Sequence, residues 1–256
     1  MFFVGGELFW DKNLGLFSRI YCGLFGVPIS GLRIRLRRVL PSLTGTPEKV
    51  LDAGCGRGVF SYQLAKRFPK AEIVAVDIDS SQLERNAAIA AKAKLENVSF
   101  VENDISRLTF EDEFDLVLSV DNLEHLEDDL QGLMSIYSAL KQNGRLVLHV
   151  PGYERRWFLF GFRTNFDVPG HFRPGYRLNE ITDKVSGVGF TVESAKYTFG
   201  WLETVTNNCS YVVTRAEAKN KTIYALLFPL LNAIAWLGRN SRPKKGAGVL
   251  VLATKH

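Results

Sequence analysis

The sequence predicts an α/β fold in which a mostly parallel sheet of seven strands is covered by helices on both faces. Short apolar runs recur along the chain, and helical patterns lie between most of them. Strands that alternate with helices are typical of a parallel sheet, because each crossover helix packs on one of its faces. A glycine-rich turn at residues 52–58 ends the first apolar run, as in sheets that bind a nucleotide-like ligand at this edge.

The turn at Asp52–Gly58 reads D-A-G-C-G-R-G and connects Val50–Leu51 to a helix that begins near Val59. Its glycines stand at alternate positions, which lets the backbone turn sharply and brings N–H groups close to a ligand at a helix N-terminus. A glycine-rich turn alone also fits an ordinary tight connection. Its interpretation as a binding loop therefore depends on the strands that follow.

Six further apolar runs complete the predicted sheet. The second run ends in Asp77, about 20 residues after the turn, where a carboxylate can accept both hydroxyls of a ribose. A capping box of Ser80 or Ser81 with Glu84 is expected to start the second helix, and Gly144 to follow the end of the third. We predict strands near 48–53, 72–77, 97–102, 114–120, 144–150, 189–199 and 248–255, and helices near 58–68, 80–94, 129–141 and 178–186.

The composition fits one domain with extensions, because 256 residues with 46% hydrophobic content can bury one sizeable core. Cys22, Cys55 and Cys209 are far apart and match neither a disulfide framework nor a zinc-ligand spacing, so no metal is expected. The N-terminal residues lack the basic start and the cleavage site of a signal peptide. These observations predict a reducing, cytoplasmic compartment.

Charge is distributed unevenly, although the net charge is only +5. Residues 48–150 hold 11 Lys and Arg against 18 Asp and Glu, whereas the rest of the chain holds 21 against 9. The basic flanks predict attraction to an anionic partner, such as a phospholipid surface, nucleic acid or a phosphorylated substrate. Solvated surface charge is the alternative explanation.

Residues 1–44 are predicted to form a helical extension before the main domain, 45–256. In the second half of the extension, one helical face is apolar and is formed by Leu32, Leu36, Val39 and Leu40. Four arginines lie mostly outside this face. A basic helix with an apolar face fits a membrane surface. It equally fits a helix that packs on the sheet or covers the pocket, and packing is favoured for this segment. The alternation at 32–37 also leaves a short strand open.

Two long segments interrupt the alternation of strands and helices. Residues 151–177 are predicted to form a lid-like loop after the fifth strand, at the edge where ligands bind. Residues 200–247 form a predicted apolar helical insert. Its stretch 223–238 is 16 residues without a charge, against the ~20 that cross a bilayer. Pro229 should kink this run and Asn232 would be costly in lipid, so a transmembrane helix is not expected. Cations on both sides predict contact with a membrane surface, and a buried cap helix is the alternative.

Several motifs together resemble one known family. The first turn reads D-x-G-C-G-x-G, unlike the G-x-G-x-x-G of dinucleotide enzymes. The run F-D-L-V-L-S-V-D-N-L-E-H-L-E-D at 114–128 precedes L-K-Q-N-G-R-L-V-L at 140–148. Over roughly residues 45–200, the chain resembles the small-molecule and quinone-type branch of the class I S-adenosylmethionine-dependent methyltransferases. The resemblance implies a Rossmann-like sheet, an enzyme, and S-adenosylmethionine as its cofactor. In that family the last two strands form a hairpin with a short connection, so the insert at 200–247 is a departure.

The resemblance assigns the glycine-rich turn to the methionine part of the cofactor. Gly54, Cys55 and Gly56 would approach it, and Asp52 would orient its ammonium through water. The same resemblance assigns residues that follow the other strands. Asp77 would hold the ribose hydroxyls with Ile78 against adenine, Asp104 would accept from the adenine amino group with Ile105 beside it, and Asp121 and Asn122 would border the donor methyl.

Methyl transfer from a sulfonium is an in-line displacement, so the enzyme mainly places the acceptor and excludes water. A base is needed only when the acceptor must lose a proton. The candidates for that base, or for a hydrogen bond to substrate, are His125, His149, His171 and Tyr176. Each of them also fits a purely structural role, as does Asp79, which is expected only to cap a helix.

The apolar insert and the basic flanks predict a methyltransferase that acts on an apolar or amphiphilic small molecule, such as a quinone, isoprenoid or other lipid. Residues 1–40 and 200–247 would contact the inner face of the membrane. The alternative is a soluble O- or N-methyltransferase of a polar metabolite or sugar, with the insert as a lid. An RNA methyltransferase is disfavoured, and no nucleic-acid partner is expected, because the aromatic residues are not interleaved with cations. A non-catalytic interaction module is disfavoured because all the cofactor residues are present.

Overall fold

The computed structural model describes residues 4–153, 170–215 and 221–256. The strands are β1 Lys49–Ala53, β2 Glu72–Asp77, β3 Val98–Glu102, β4 Phe114–Val120, β5 Leu140–Pro151, β6 Phe190–Thr198 and β7 Gly248–Lys255. The α-helices are α1 Leu16–Phe25, α2 Ser30–Val39, α3 Val59–Arg67, α4 Ser80–Lys92, α5 Asp129–Ala139, α6 Leu178–Val188, α7 Trp201–Arg215 and α8 Lys221–Leu237.

The strands form one seven-stranded sheet in the order β3-β2-β1-β4-β5-β7-β6. The first five strands run parallel, and β7 lies antiparallel between β5 and β6. This arrangement confirms the predicted Rossmann-like α/β fold. The strand order changes direction between β1 and β4, so ligands are expected at the carboxyl ends of these strands.

Both faces of the sheet are buried, which explains why its strands are visible in the sequence. Tyr62 and Leu64 of α3 pack on one face, while Ile136 of α5 and Val185 of α6 pack on the other. Strands covered on both faces carry nearly continuous apolar runs. The predicted strands at 72–77, 114–120 and 248–255 accordingly agree with β2, β4 and β7 at both ends.

Two local predictions are wrong. The third predicted helix does not reach Gly144: α5 ends at Ala139, and Leu140 already pairs with Phe114 at the start of β5. Gly144 lies inside β5, next to an irregularity in the register of the β4–β5 pairing. At α4, neither serine forms the expected cap; the Asp79 carboxylate accepts the Gln82 N–H at 3.1 Å.

Helix α2 is packed inside the protein, as the favoured interpretation of this segment expects. Ile34, Leu36 and Val39 are fully buried. Arg33 is buried as well and donates to the Val4 carbonyl at 2.7 Å, and Arg37 donates to the Asn232 side chain at 2.8 Å. The arginines of α2 therefore bind other parts of the protein and do not form a solvated face.

The insert between β6 and β7 consists of α7 and α8, which pack against each other and against α2. Pro229 lies inside α8, which continues to Leu237. Asn232 is buried, so the polar residue of the apolar run faces the protein. In the described part of the chain, no helix combines the length and the apolar character that a membrane span requires. Most of the predicted lid-like loop, residues 154–169, lies outside the described residues.

Candidate active site

A cavity of about 1070 Å³ lies at the carboxyl ends of β1, β2 and β4. Its floor is the glycine-rich turn, and its roof includes Ile29, Leu32 and Arg35 from the N-terminal extension. The cavity brings together all ten residues that the family resemblance assigns to the cofactor and the donor methyl. The predicted site residues on its wall are Asp52, Gly54, Cys55, Gly56, Asp77, Ile78, Asp104, Ile105, Asp121, Asn122, His125 and His171.

The glycine-rich turn holds its conformation through positive φ angles and hydrogen bonds to β2. Gly54, Gly56 and Gly58 have φ of 81°, 46° and 70°, which favour glycine. The N–H groups of Gly54 and Cys55 donate to the Val76 carbonyl at 2.9 and 2.8 Å. A Cβ at Gly56 would meet nothing within 4 Å, so this stretch of backbone is open for the approach of a ligand.

Asp77 stands at the end of β2 with its carboxylate already oriented. One oxygen accepts the Gly56 N–H at 2.8 Å, and the other accepts the Asp79 N–H at 3.2 Å. Ile78 beside it is 72% exposed and lines the cavity. A rigid carboxylate next to an exposed apolar side chain suits a ribose with an attached flat ring.

Asp104 and Ile105 form the wall beyond β3. The Asp104 carboxylate accepts from the Ser106 backbone and hydroxyl at 2.8 and 2.7 Å, and these bonds, with Arg107, lower its pKa. Ile105 is buried and lines the same cavity. The carboxylate is therefore ionised and held at the edge of the cavity.

Asp52 is buried in β1 behind the glycine-rich turn. Its carboxylate accepts the Ser61 hydroxyl at 2.6 Å. Burial raises the pKa of Asp52 to about 7, and the nearby charge of Asp77 acts in the same direction. A cation in the cavity would favour the ionised form of this carboxyl group.

Asp121 follows β4 and forms the centre of a polar chain. It has a φ of 53°, and its two carboxylate oxygens lie 2.7 Å from His149 Nδ1 and 2.5 Å from an Arg35 guanidinium nitrogen. His149 Nε2 lies 2.9 Å from the Thr198 hydroxyl. His149 is buried and does not line the cavity, so Asp121 stands between it and the cavity.

The sequence analysis missed two members of this hydrogen-bonded series, Thr198 and the cavity-lining Arg35. Helix α2 brings Arg35 to the site from a distant part of the sequence, and only its place in a packed basic helix could have suggested it. Asn122, the neighbour of Asp121, closes the floor: its amide donates to the Ala53 carbonyl at 2.8 Å. A Cβ at Gly54 would lie 2.3 Å from that amide group, so the glycine makes room for it.

The other three catalytic candidates lie in two different environments. His125 and His171 line the cavity with their rings edge to face and 4.4 Å between centroids, and His125 Nδ1 lies 2.9 Å from the Gly170 carbonyl oxygen. Tyr176 is buried and does not line the cavity. Its hydroxyl donates to Asp129 at 2.9 Å, and burial raises its pKa. The structure thus places Tyr176 in a packed polar cluster away from the site.

Glu124, His125 and His171 also approach one another closely. One potential ligand atom from each residue lies within 4.8 Å of the others, a spacing that could hold a metal ion. The cluster is on the wall of the same cavity. The sequence-based expectation that the site contains no metal therefore stays a prediction.

Comparison with known protein families identifies the central part of the chain. Residues 46–168 match the family model described as "Methyltransferase domain". The chain is 33% identical over 106 residues to malonyl-[acyl-carrier protein] O-methyltransferase of Bacillus cereus, covering 41% of this chain and 38% of that protein. It is 36% identical over 108 residues to demethylmenaquinone methyltransferase of Deinococcus radiodurans, covering 42% and 44%. The matched region is thus less than half the length of these curated relatives.

Solved structures show the same fold at low sequence identity. Phosphoethanolamine N-methyltransferase 2 of Haemonchus contortus, in complex with S-adenosyl-L-methionine, has a TM-score of 0.61 and 18% identity, covering 98% of this chain and 60% of that one. A putative sarcosine dimethylglycine methyltransferase of Galdieria sulphuraria has a TM-score of 0.60 and 16% identity, covering 88% and 83%. The similarity to these structures concerns the fold alone.

Proposed function

We propose that this chain, of which residues 46–168 match a methyltransferase domain, is a class I S-adenosylmethionine-dependent methyltransferase that methylates an amphiphilic small molecule at a membrane surface. The observation that carries the membrane part is a pair of exposed apolar rows on α1 and α8. The small-molecule part is supported by the curated relatives, which are named as malonyl-[acyl-carrier protein] and demethylmenaquinone methyltransferases. The inner face of the membrane is the surface we propose.

The residues of the large cavity fit S-adenosylmethionine. The open backbone at Gly56 suits the close approach of its methionine part, and the ionisable Asp52 lies behind it. Asp77 is oriented for ribose hydroxyls, with Ile78 exposed for the adenine ring. When bound, this cofactor supplies a methyl group that is already activated by its sulfonium. The protein's contribution is then to place the acceptor and exclude water.

We assign the proton chemistry of the acceptor to Asp121. It reaches the cavity, whereas His149 is buried behind it and Tyr176 points elsewhere. Arg35 holds one carboxylate oxygen and His149 the other, which fixes the side chain. If the acceptor is a hydroxyl, Asp121 takes its proton as the methyl group is transferred.

Helix α1 carries the first exposed row. Leu16, Ile20 and Leu24 follow one another at intervals of four residues on one face of the helix, and Phe17 beside them is 71% exposed. Soluble proteins rarely leave such contiguous apolar surface in water, and when they do it usually marks an interaction site. A row of this length on a surface helix fits insertion at the boundary between lipid headgroups and acyl chains.

Helix α8 carries the second row. Its exposed face is formed by Ile223, Leu226, Leu227, Leu230 and Leu237, while Tyr224, Phe228 and Asn232 on the opposite face are buried. The Tyr21 hydroxyl of α1 donates to the Ala225 carbonyl of α8 at 2.6 Å. The two helices that carry the rows are therefore neighbours.

Cations lie next to these rows. Arg19 lies on α1 itself, and desolvation together with the charges of Lys12 and Arg19 lowers the pKa of Lys92. At the end of α8, the Arg239 guanidinium stacks 3.5 Å from the centre of the Trp236 ring. Each cation near an anionic surface contributes about 1 kcal/mol. The surface therefore complements a bilayer with anionic lipids.

A polar acceptor is the second candidate. The cavity wall beyond the donor site is rich in titratable groups, including Glu124, His125 and His171. A relative with 34% identity over 103 residues is named as the trans-aconitate 2-methyltransferase of Deinococcus radiodurans. In this case the exposed apolar rows would not contact a membrane, and the protein would not bind vesicles.

The test uses the purified protein with methyl-labelled S-adenosylmethionine and the membrane fraction of its host, followed by organic extraction. We expect label in the organic phase. Label confined to the aqueous phase would contradict a lipid acceptor. Co-sedimentation with vesicles of phosphatidylglycerol and phosphatidylcholine tests the surface separately. Leu226→Glu should abolish sedimentation, and Met134→Glu, which places the same charge at an exposed apolar position of α5, should not.

A further inference from the structure

A second cavity, of about 410 Å³, lies under α1. Its walls come from α1, α4, the start of α8 and the segment that precedes α1. Its volume is within the range of about 300–1,000 Å³ that is usual for small-molecule sites. Nothing in the proposed cofactor chemistry uses this cavity.

One side of the second cavity is apolar. Leu8, Cys22 and Ile89 are buried on this wall, and Leu14, Phe17 and Ile29 complete it. The polar groups of the opposite side are mostly paired with one another. Arg85 forms an ion pair with the buried Asp11, and the Gln82 amide donates to Asn86 at 2.9 Å. An apolar ligand in this cavity would therefore lie against apolar side chains and paired polar groups.

The second cavity adjoins the cofactor cavity at the glycine-rich turn. Ile29 and Arg57 line both cavities, Ile29 from the N-terminal extension and Arg57 from the turn itself. A ligand that passed between these two side chains would have one end beside the methionine part of the cofactor. Its other end would lie under α1.

The opposite end of the second cavity reaches the exposed apolar rows. Phe17 belongs both to the cavity wall and to the row on α1. Thr222 and Ala225, which line the same end, lie on α8 next to Ile223 and Leu226 of the second row. The second cavity thus shares lining residues with the cofactor cavity on one side and borders the two exposed rows on the other.

We infer that the second cavity binds the apolar chain of the acceptor, so that the substrate class is a single-chain amphiphile with an alkyl or prenyl tail. This inference rests on the proposed function, because it takes the acceptor to be amphiphilic. The polar end lies in the cofactor cavity near Asp121, and the tail passes Ile29 and Arg57 to reach the space under α1. The tail enters from the bilayer between α1 and α8.

Binding of a fluorescent alkyl probe, 11-(dansylamino)undecanoic acid, tests this site directly. Ala225→Trp should fill the mouth of the cavity and weaken probe binding at least tenfold. Ala233→Trp is the matched control, because Ala233 has a similar partial exposure on the same helix but does not line the cavity. Thr222→Trp repeats the test from an exposed position, in case the tryptophan at 225 prevents folding.

Two further readouts separate this inference from the proposed function. S-adenosylhomocysteine should bind both Ala225→Trp and Ala233→Trp with unchanged affinity, and it should not displace the probe from the unmodified protein. Equal probe binding by all the variants would overturn the inference even if label entered the organic phase. Loss of probe binding in the Ala225 and Thr222 variants alone would support the inference. It would do so even if the protein did not co-sediment with vesicles, a result that would contradict only the proposed membrane contact.

Discussion

Asp121 and His149 are hydrogen-bonded, with 2.7 Å between Asp121 Oδ1 and His149 Nδ1, although 28 residues separate them in the sequence. They meet because β4 and β5 are adjacent: Val120 pairs with His149, and the Asp121 N–H donates to the His149 carbonyl at 2.8 Å. The ring of His149 is held from its other side by Thr198. On the side of Oδ1, the carboxylate at the cavity wall is therefore held by groups that do not themselves reach the cavity.

The first prediction concerns Asp121 as the proton acceptor. Asp121→Asn keeps the size of the side chain and removes its basicity, so kcat should fall by about 10²-fold with little change in donor affinity. The measurement is label transfer into the organic extract under saturating donor. Asp112→Asn, an exposed carboxylate paired with Lys255, is the control and should retain full activity. An unchanged kcat for Asp121→Asn would mean that the acceptor loses no proton to this group.

A second prediction distinguishes the role of Asp77 in cofactor binding from the role of Asp79 in helix capping. Asp77→Asn should weaken binding of S-adenosylhomocysteine by about 10- to 100-fold, because a hydrogen bond to a charged group contributes about 1.5–3 kcal/mol. Asp79→Ala should leave that affinity unchanged and lower the free energy of unfolding, because Asp79 caps α4. Calorimetric titration and urea unfolding measure the two effects. The opposite pattern would reverse the roles of these residues.

The third prediction follows from the pKa of Asp52, which burial raises to about 7. Between pH 4 and 7 the folded protein holds a proton on this group that the unfolded chain has lost. The contribution of Asp52 to the free energy of unfolding therefore decreases as the pH rises through this window. Urea unfolding at pH 5 and pH 8 should show a smaller loss of stability in Asp52→Asn than in the unmodified protein.

Donor binding should depend on pH in the opposite sense. In the role proposed for Asp52, only its ionised form attracts the ammonium of the cofactor, so the affinity for S-adenosylhomocysteine should increase from pH 6 to pH 8. Asp52→Asn should show no such increase. If both proteins gave the same profile, the ammonium would be bound by another group.

A fourth prediction concerns the attachment of the insert to the N-terminal extension. Arg38 of α2 and Glu203 of α7 form a buried ion pair at 2.5 Å, and Arg38 also donates to the Ser241 and Gly238 carbonyls. Arg38→Met leaves Glu203 without its cation and should cost about 3–5 kcal/mol, measured by urea unfolding.

The double variant Arg38→Met/Glu203→Leu should recover most of this loss, because it removes both charges. Lys141→Met provides the comparison, since its ion pair with Asp115 is partly exposed and should contribute much less to stability. If Arg38→Met and Lys141→Met lowered the free energy of unfolding equally, burial would not make the Arg38–Glu203 ion pair more important for stability.

The strands and the glycine-rich turn could be predicted because their signals are local. The run that ends in Asp77 shows both a buried strand and the carboxylate at its end, and β2 has the predicted bounds. The start of β5 at Leu140 could not be predicted, because only its pairing with Phe114 favours a strand over another turn of helix. Tertiary pairing outweighs local propensity at such boundaries.

The positions of site residues that directly follow a strand could be predicted from the sequence. Contacts between side chains from distant elements could not. The family resemblance assigned Asp121, just after β4, to the border of the donor methyl, and the structure places it on the cavity wall. The contact with Arg35 depends on how α2 packs over the cavity, which no local pattern specifies. His149 and Tyr176 are both candidates by residue type, and only the structure shows that each is held in a buried network away from the cavity wall.

The position of β7 has a consequence for how the chain reaches its native state. This strand comes last in the sequence, yet it lies inside the sheet and joins β5 to β6. During synthesis, β6 and the two helices of the insert therefore leave the ribosome before the strand that attaches them to the rest. Until β7 is inserted, the edge of β5 is unpaired and the apolar helices lack their final support. Exposed strand edges and apolar surface favour aggregation, so the insertion of β7 both completes the sheet and covers surface that would otherwise promote self-association.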